Sequence, residues 1–279
     1  MAEHTLAAWP RFFRSELRLV FGRRRNQALL AVVGLFPVVI GIALRAADQP
    51  GRTGGPSVAF INQLAGNGFF LTFIALTLLL TLVLPLAMAV IAGDSMAGEA
   101  GPGTLRALLA IPAGRARLLT VKYAAIVVFA LAATLLVTAV ALATGVALFP
   151  LGPVTLLSGT TVPLASGILR LLLVALYVTA ALASLGAIGL AVSTCTEHPV
   201  GAIAALAILT VASEVADNLP QFGAIHPYLP THWWLSFDAL LRVPIATGTV
   251  LHGLLSFGVY LVLFGSIAWA RLSTADVTG

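Results

Sequence analysis

The sequence contains little charge: 9% of its 279 residues are Asp, Glu, Lys or Arg, whereas 59% are hydrophobic. A soluble globular domain carries about 25% charged residues, so this chain has too few polar groups to cover its surface in water. Runs of about 20 apolar residues without period-2 alternation instead indicate helices that cross a bilayer. We therefore predict an all-α polytopic membrane protein.

Several reactive groups and motifs are also missing. Cys195 is the single cysteine, so an internal disulfide is excluded. The His-Glu-x-x-His and Gly-x-Ser-x-Gly motifs of hydrolases are absent. A nucleotide-binding P-loop needs Gly-Lys followed by Ser or Thr, but the only lysine, Lys122, lies between Val121 and Tyr123. We predict no catalytic residue on this chain and place any ATP-binding site on another polypeptide.

The apolar segments divide the chain into six predicted spans. Pro85 is expected to kink the second span, and small residues in the fourth are expected to let neighbouring helices approach closely. Residues 27–270 would form one transmembrane domain, preceded by a segment over 1–26 and followed by a tail over 271–279. The predicted spans are 27–46, 69–92, 120–148, 169–192, 200–218 and 249–270.

Basic residues are distributed unequally between the two sides of these spans. Eleven of the fifteen lie on the side of the N-terminus and four on the other side. The positive-inside rule then places both termini in the cytoplasm, with the chain in the inner (plasma) membrane. Juxtamembrane position explains these bases without nucleic acid as a partner. The predicted anchors at the inner interface are Arg23, Arg24, Arg25, Arg115, Arg117 and Lys122.

Two amphipathic segments flank the spans. Residues 9–25 place Arg11, Arg14, Arg18, Gly22 and Arg25 on one helical face and Phe13, Leu17, Val20 and Phe21 on the other, which predicts a helix at the inner leaflet. Before the last span, we expect Thr231 to cap a short, partly re-entrant helix at the outer interface. Its apolar side would hold Trp233, Trp234, Phe237, Leu240 and Leu241.

Glu214 and Asp217 share one face near the end of the fifth span. Acidic residues within a membrane are costly, so the pair is a candidate for a path used by a proton or a cationic substrate. The alternative is that both side chains simply reach water at the outer surface. His226, His232 and Asp238 lack compact metal-ligand spacing, and we predict no metal site.

A compact passage of Gly, Pro and charged residues separates the second and third spans. Gly98, Gly101, Pro102 and Gly103 loosen the chain, after which Thr104 can cap a short helix that Pro112 ends. Leu105, Leu108 and Leu109 give that helix an apolar patch at i, i+3 and i+4. Such a helix suits docking into a groove of a partner protein. An ordinary inner loop would explain the bases but not the apolar patch.

This passage resembles the first cytoplasmic loop of type 2 ABC (ATP-binding cassette) transporter permeases. That loop runs Glu, three residues, Gly-Thr-Leu, a Leu-rich turn, Pro and a later Lys. Ala100-Gly101 departs from the family, in which charged residues often follow the Glu. The matching residues are Asp94, Ala97, Gly98, Glu99, Gly103, Thr104, Leu105, Arg106, Pro112, Arg115, Arg117, Leu118, Leu119 and Lys122.

The resemblance implies the permease subunit of an exporter rather than an enzyme. Two permease subunits would pair with two nucleotide-binding ATPase subunits, which would hold ATP and Mg²⁺. The substrate could be a lipophilic drug or a lipid, since the helices are so apolar. An ion-coupled secondary transporter that uses Glu214 and Asp217 is the alternative, and a structural subunit without a transport path is a third. The implied partner-coupling residues are Glu99, Gly103, Thr104, Leu105, Arg106, Leu108, Leu109 and Pro112.

Overall fold

The computed structural model describes residues 2–47, 68–100, 115–149, 154–156 and 158–274. Within these ranges the chain forms eight α-helices, a two-stranded antiparallel hairpin and three short 3₁₀ segments. The helices are α1 (Ala2–Gly22), α2 (Arg24–Ala47), α3 (Gly68–Thr81), α4 (Val83–Ala100), α5 (Arg115–Leu148), α6 (Leu164–Thr194), α7 (Pro199–Asp217) and α8 (Thr247–Thr274). The strands are β1 (Val154–Thr155) and β2 (Thr161–Val162), and the 3₁₀ segments are Pro220–Phe222, His226–Tyr228 and Trp234–Leu241.

Five of these helices are long and apolar enough to cross a membrane, and the pair α3 and α4 makes a sixth span if it is counted as one bent helix. The prediction of an all-α polytopic protein is thereby confirmed. The two halves of the bent pair meet at 50° across Leu82. Pro85 follows one turn after Thr81, and a proline ring clashes with the carbonyl four residues earlier, so the predicted kink has this physical cause.

The helix α6 lies at the centre of the bundle and packs against α4, α5, α7 and α8. Its glycines allow this close packing: a Cβ on Gly186 would come within 2.6 Å of Ile126, and one on Gly189 within 2.6 Å of both Ala92 and Leu206. The small residues predicted to permit close approach therefore do so. By contrast, most of α2 and α8 is exposed and apolar, as expected for helices that face lipid.

The N-terminal helix α1 packs against α5 and α2, with the rings of Phe21 and Phe129 5.8 Å apart. Its junction with α2 is braced by two side chains. The Asn26 amide donates to the carbonyl of Val20 at 2.7 Å, and the Gln27 amide donates to that of Phe21 at 2.9 Å. The predicted helix over 9–25 is confirmed as far as Gly22, whereas Arg24 and Arg25 belong to α2, and α1 is held close to the start of the first span.

The segment before α8 differs from the prediction in two respects. It is a 3₁₀ helix over Trp234–Leu241 without a side-chain cap, because the hydroxyl of Thr231 pairs with that of Ser213 at 2.8 Å instead. Trp233 packs against the same core as Trp234 and Phe237 but is only partly buried, and its ring stacks on His252 with the ring centroids 5.8 Å apart. Arg170 of α6 donates to the carbonyls of Leu240 and Arg242 at 2.5 and 3.0 Å. We call the end of the bundle that contains Trp234–Leu241 the Trp234 end.

Candidate functional site

A buried ion cluster joins three helices at the other end, which we call the Lys122 end. The Nζ atom of Lys122 donates to Oε1 of Glu16 at 2.9 Å and to Oε1 of Glu99 at 2.6 Å. Only 1% of the Lys122 side chain is exposed, with 10% of Glu16 and 15% of Glu99. The cluster therefore links α1, the end of α4 and the beginning of α5.

The burial of Lys122 explains why two acidic side chains surround it. Burial of a single ammonium group costs several kcal/mol unless opposite charges compensate it, and here two carboxylates do so. Glu99 lies at the end of α4 and Lys122 two turns into α5, so their bond ties together the two ends of the segment 101–114. The cluster therefore connects α4 with α5 and, through Glu16, both of them with α1.

A second ion cluster lies beside the first. Asp94 of α4 accepts hydrogen bonds from Arg23, at the junction of α1 and α2, and from Nη2 of Arg25 at 2.8 Å. The Asp94 side chain is 11% exposed, whereas the two arginines are 44% and 46% exposed. Asp94 and Glu99 together therefore fasten the last turns of α4 to the N-terminal part of the chain.

The hydroxyl of Ser193 fastens the same part of α4 to α6. It accepts hydrogen bonds from the backbone N–H groups of Met96 and Ala97 at 3.0 and 2.9 Å, and it donates to the carbonyl of Gly93 at 2.8 Å. Ser193 is buried, so these bonds form away from solvent. The last turns of α4 are therefore connected to α1, α2, α5 and α6.

The predicted inner-interface anchors occupy different environments. Lys122 is not available to lipid phosphate, because its ammonium group is enclosed by the two carboxylates. Arg115 donates through Nη1 to the carbonyls of Leu272 and Ser273 at 2.9 and 2.6 Å, which joins the start of α5 to the end of α8. Arg117 is partly buried and Arg24 is exposed.

Of the predicted coupling residues, the structure brings Glu99 together with Lys122. The others, Gly103, Thr104, Leu105, Arg106, Leu108, Leu109 and Pro112, lie outside the described residues.

Glu214 and Asp217 lie at the Trp234 end, on the last turns of α7. Oδ1 of Asp217 is 2.6 Å from Nδ1 of His232 and 4.0 Å from Nδ1 of His226, so the loop histidines hold the end of α7. Asp238 pairs instead with Arg242 at 2.7 Å. No group of three side chains among the described residues could hold a metal ion. The side chains of Glu214 and Asp217 are partly buried.

Sequence analysis missed Glu16 and Ser193. Glu16 carried a signal that could have been read, because it follows Phe12 and precedes Val20 at four-residue spacing. A single acid on an otherwise apolar helical stripe is costly to bury without a cation. Lys122 is the only lysine of the chain and lies in an apolar span, where it needs an acid. Ser193 gave no such signal, since serine in a buried helix usually bonds to its own backbone.

Comparison with known sequences agrees with the helical architecture. The sequence model of the family described as "ABC-2 family transporter protein" matches residues 20–232. A curated relative, the "Probable ABC transporter permease protein NosY" of Pseudomonas aeruginosa, is 37% identical over 100 residues. That match covers 36% of this chain and 32% of the relative, so the chain aligns with about a third of the relative's length.

Proposed function

The chain belongs to the ABC-2 transporter family as a membrane permease subunit, and from this premise we propose how it receives the work of ATP hydrolysis. The ion cluster of Lys122, Glu16 and Glu99 is the observation that carries the proposal. The segment 101–114 docks on a nucleotide-binding ATPase subunit. When the ATPase subunit moves this segment, the Glu99–Lys122 bond passes the displacement to the helices of the bundle.

Four features support this site of coupling. The segment is bracketed by Glu99 and Lys122, whose 2.6 Å bond holds its two ends together. The apolar patch that the sequence predicts for Leu105, Leu108 and Leu109 would suit a hydrophobic groove on the partner. The bonds of Asp94 and Ser193 fasten the end of α4 to neighbouring helices, which would favour transmission of a displacement. The chain has no P-loop, so ATP and Mg²⁺ would bind to the partner subunit.

The assembly that follows contains two permease subunits and two ATPase subunits in the inner membrane. Closure of the ATPase subunits on ATP would push the two docking segments together and rock the bundles, which would expose a central path outward. The permease would thus have two conformations, and ATP bound to the partner subunits would shift the equilibrium between them, as coupling requires. The direction would be export, and the apolar spans favour a lipophilic drug or a lipid as substrate. Glu214 and Asp217 stay candidates for the substrate path.

The docking step is tested by replacing Leu108 and Leu109 together with aspartate. Two carboxylates would be buried without partners in the groove, so stimulation of the ATPase by the permease should be lost while membrane insertion is retained. The matched control is Leu108→Met with Leu109→Met, which conserves apolar character and volume and should retain stimulation. Stimulation at the wild-type level in the aspartate variant would contradict docking here. Transport driven by a proton gradient without ATP, and lost in Glu214→Gln, would support the ion-coupled alternative.

Orientation can be tested with the native Cys195. It is exposed and follows Thr194, the last residue of α6, at the Lys122 end of the bundle. If that end is cytoplasmic, a membrane-impermeant maleimide should label Cys195 in inverted vesicles and leave it unlabelled in intact cells. The matched control is Tyr228→Cys in a Cys195→Ser background, because Tyr228 is 76% exposed at the Trp234 end. That variant should show the reverse pattern, and labelling of Cys195 in intact cells would reverse the proposed topology.

A further inference from the structure

Over residues 10–22, the part of α1 whose side chains are described, the acidic and basic side chains lie on opposite faces. Arg11, Arg14 and Arg18 are exposed, whereas Glu16, the only acid of this helix beyond its first two turns, is 8% exposed and bonded to Lys122. At 3.6 residues per turn, Glu16 is rotated by about 200° from both Arg14 and Arg18. Between Pro10 and Gly22, where the side chains are described, the exposed face therefore carries basic groups and no acid, and the opposite face enters the proposed coupling site.

The charge and the position of this face fit the phosphates of an anionic lipid leaflet. The bonds of Asn26 to Val20 and of Gln27 to Phe21 hold the end of α1 against the first turn of α2, which is the start of the first span. The exposed face thus lies near the point where the chain enters the bilayer. All three bases are arginines, whose guanidinium groups bind phosphate oxygens in pairs. Leu19, 49% exposed beside Arg18, adds an apolar contact.

We propose that anionic phospholipid on the Arg11, Arg14 and Arg18 face regulates coupling, because the same rigid helix holds Lys122 through Glu16 on its other side. This inference rests on the proposed function. Lipid that fixes α1 would fix Glu16 against Lys122 and so strengthen the connection between the docking segment and the bundle. When the leaflet lacks anionic lipid, α1 is held by its packing alone and less of the displacement is transmitted.

The test measures ATPase activity of the purified complex of permease and ATPase in two kinds of nanodisc. One kind contains phosphatidylcholine alone, and the other contains phosphatidylcholine mixed with phosphatidylglycerol. Each cationic side chain near an anionic surface changes affinity about fivefold, so three should give a large response. Wild-type activity is expected to rise severalfold with phosphatidylglycerol and to lose that rise in high salt.

Three variants separate the lipid effect from a structural one. Arg11→Gln with Arg14→Gln and Arg18→Gln removes the charge of an exposed face and should abolish the response to phosphatidylglycerol without lowering the thermal unfolding midpoint. Glu16→Gln keeps the charged face but breaks the link to Lys122, and should also be unresponsive. Arg271→Gln is the matched control: it removes one exposed charge on α8 at the Lys122 end and should respond like the wild type.

The outcomes distinguish this inference from the function on which it rests. Equal stimulation of wild type in both nanodiscs would overturn the lipid effect and leave coupling intact. If the triple arginine variant no longer bound the ATPase in detergent without lipid, the face would belong to the protein partner and the inference would also fail. Absence of stimulation by the permease in any lipid would contradict the proposed function itself.

Discussion

Replacing Lys122 with methionine should destabilise the permease more than any other single substitution at the Lys122 end. The change removes the ammonium group that is bonded to both Glu16 and Glu99 in the buried cluster. Removal of one partner from a buried ion pair lowers the free energy of unfolding by about 3–5 kcal/mol. The thermal unfolding midpoint in detergent should fall accordingly, and stimulation of the ATPase should be lost.

A control variant separates stability from coupling. Replacing all three groups with methionine, as Lys122→Met with Glu16→Met and Glu99→Met, removes every charge of the cluster. Hydrophobic residues of similar volume in place of a buried ion cluster are often neutral for stability, so the unfolding midpoint should recover. Stimulation of the ATPase should stay low, because no ion pair joins the two ends of the docking segment. A variant that recovers both properties would show that the cluster is structural only.

Gly145→Ala is expected to cause the second largest loss of stability, and to do so through helix packing alone. A Cβ on Gly145 would lie 2.1 Å from the carbonyl oxygen of Gly68, which belongs to the backbone of α3 and has no flexible end to move. Forcing such a group into a packed interior costs about 1–3 kcal/mol. The unfolding midpoint should fall, and the separation of α3 and α5 should increase.

The matched control is Gly258→Ala on α8, where a Cβ would meet nothing within 4 Å. Alanine favours a helix over glycine by about 0.5–1 kcal/mol, so this variant should be as stable as the wild type or slightly more stable. Equal destabilisation of both variants would show that the cost comes from the bundle in general and not from contact between α3 and α5.

The predictable parts of the fold were those with local signals. Six apolar runs placed the ends of the spans to within five residues, except that α4 continues through Gly98 to Ala100, eight residues past the predicted end of the second span. The spacing of arginines and phenylalanines gave α1, and Pro85 gave the bend between α3 and α4. Each feature depends on residues within one or two helical turns. Hydropathy and helical periodicity report on such neighbours directly.

The ion clusters could not be predicted in the same way, because their members are distant in sequence. Glu16 and Lys122 are 106 residues apart, and Arg23 and Asp94 are 71 apart. Counting bases assigned Lys122 to the lipid interface, since the rule treats every juxtamembrane cation alike. Only the packing of α1 on α5 shows that Lys122 lies inside the bundle. The pairing of Asp217 with His232 could not be predicted either, because His232 belongs to a segment without helical periodicity.

The most direct test of coupling is a charge exchange between Glu99 and Lys122, measured as permease-stimulated ATPase activity in a Glu16→Gln background. Glu99→Lys and Lys122→Glu should each abolish stimulation, because each places like charges together. The double exchange restores an opposite pair across the docking segment, and most of the stimulation should return. Stimulation that survives in both single variants, or stays absent in a double variant that folds and binds the ATPase, would contradict the account.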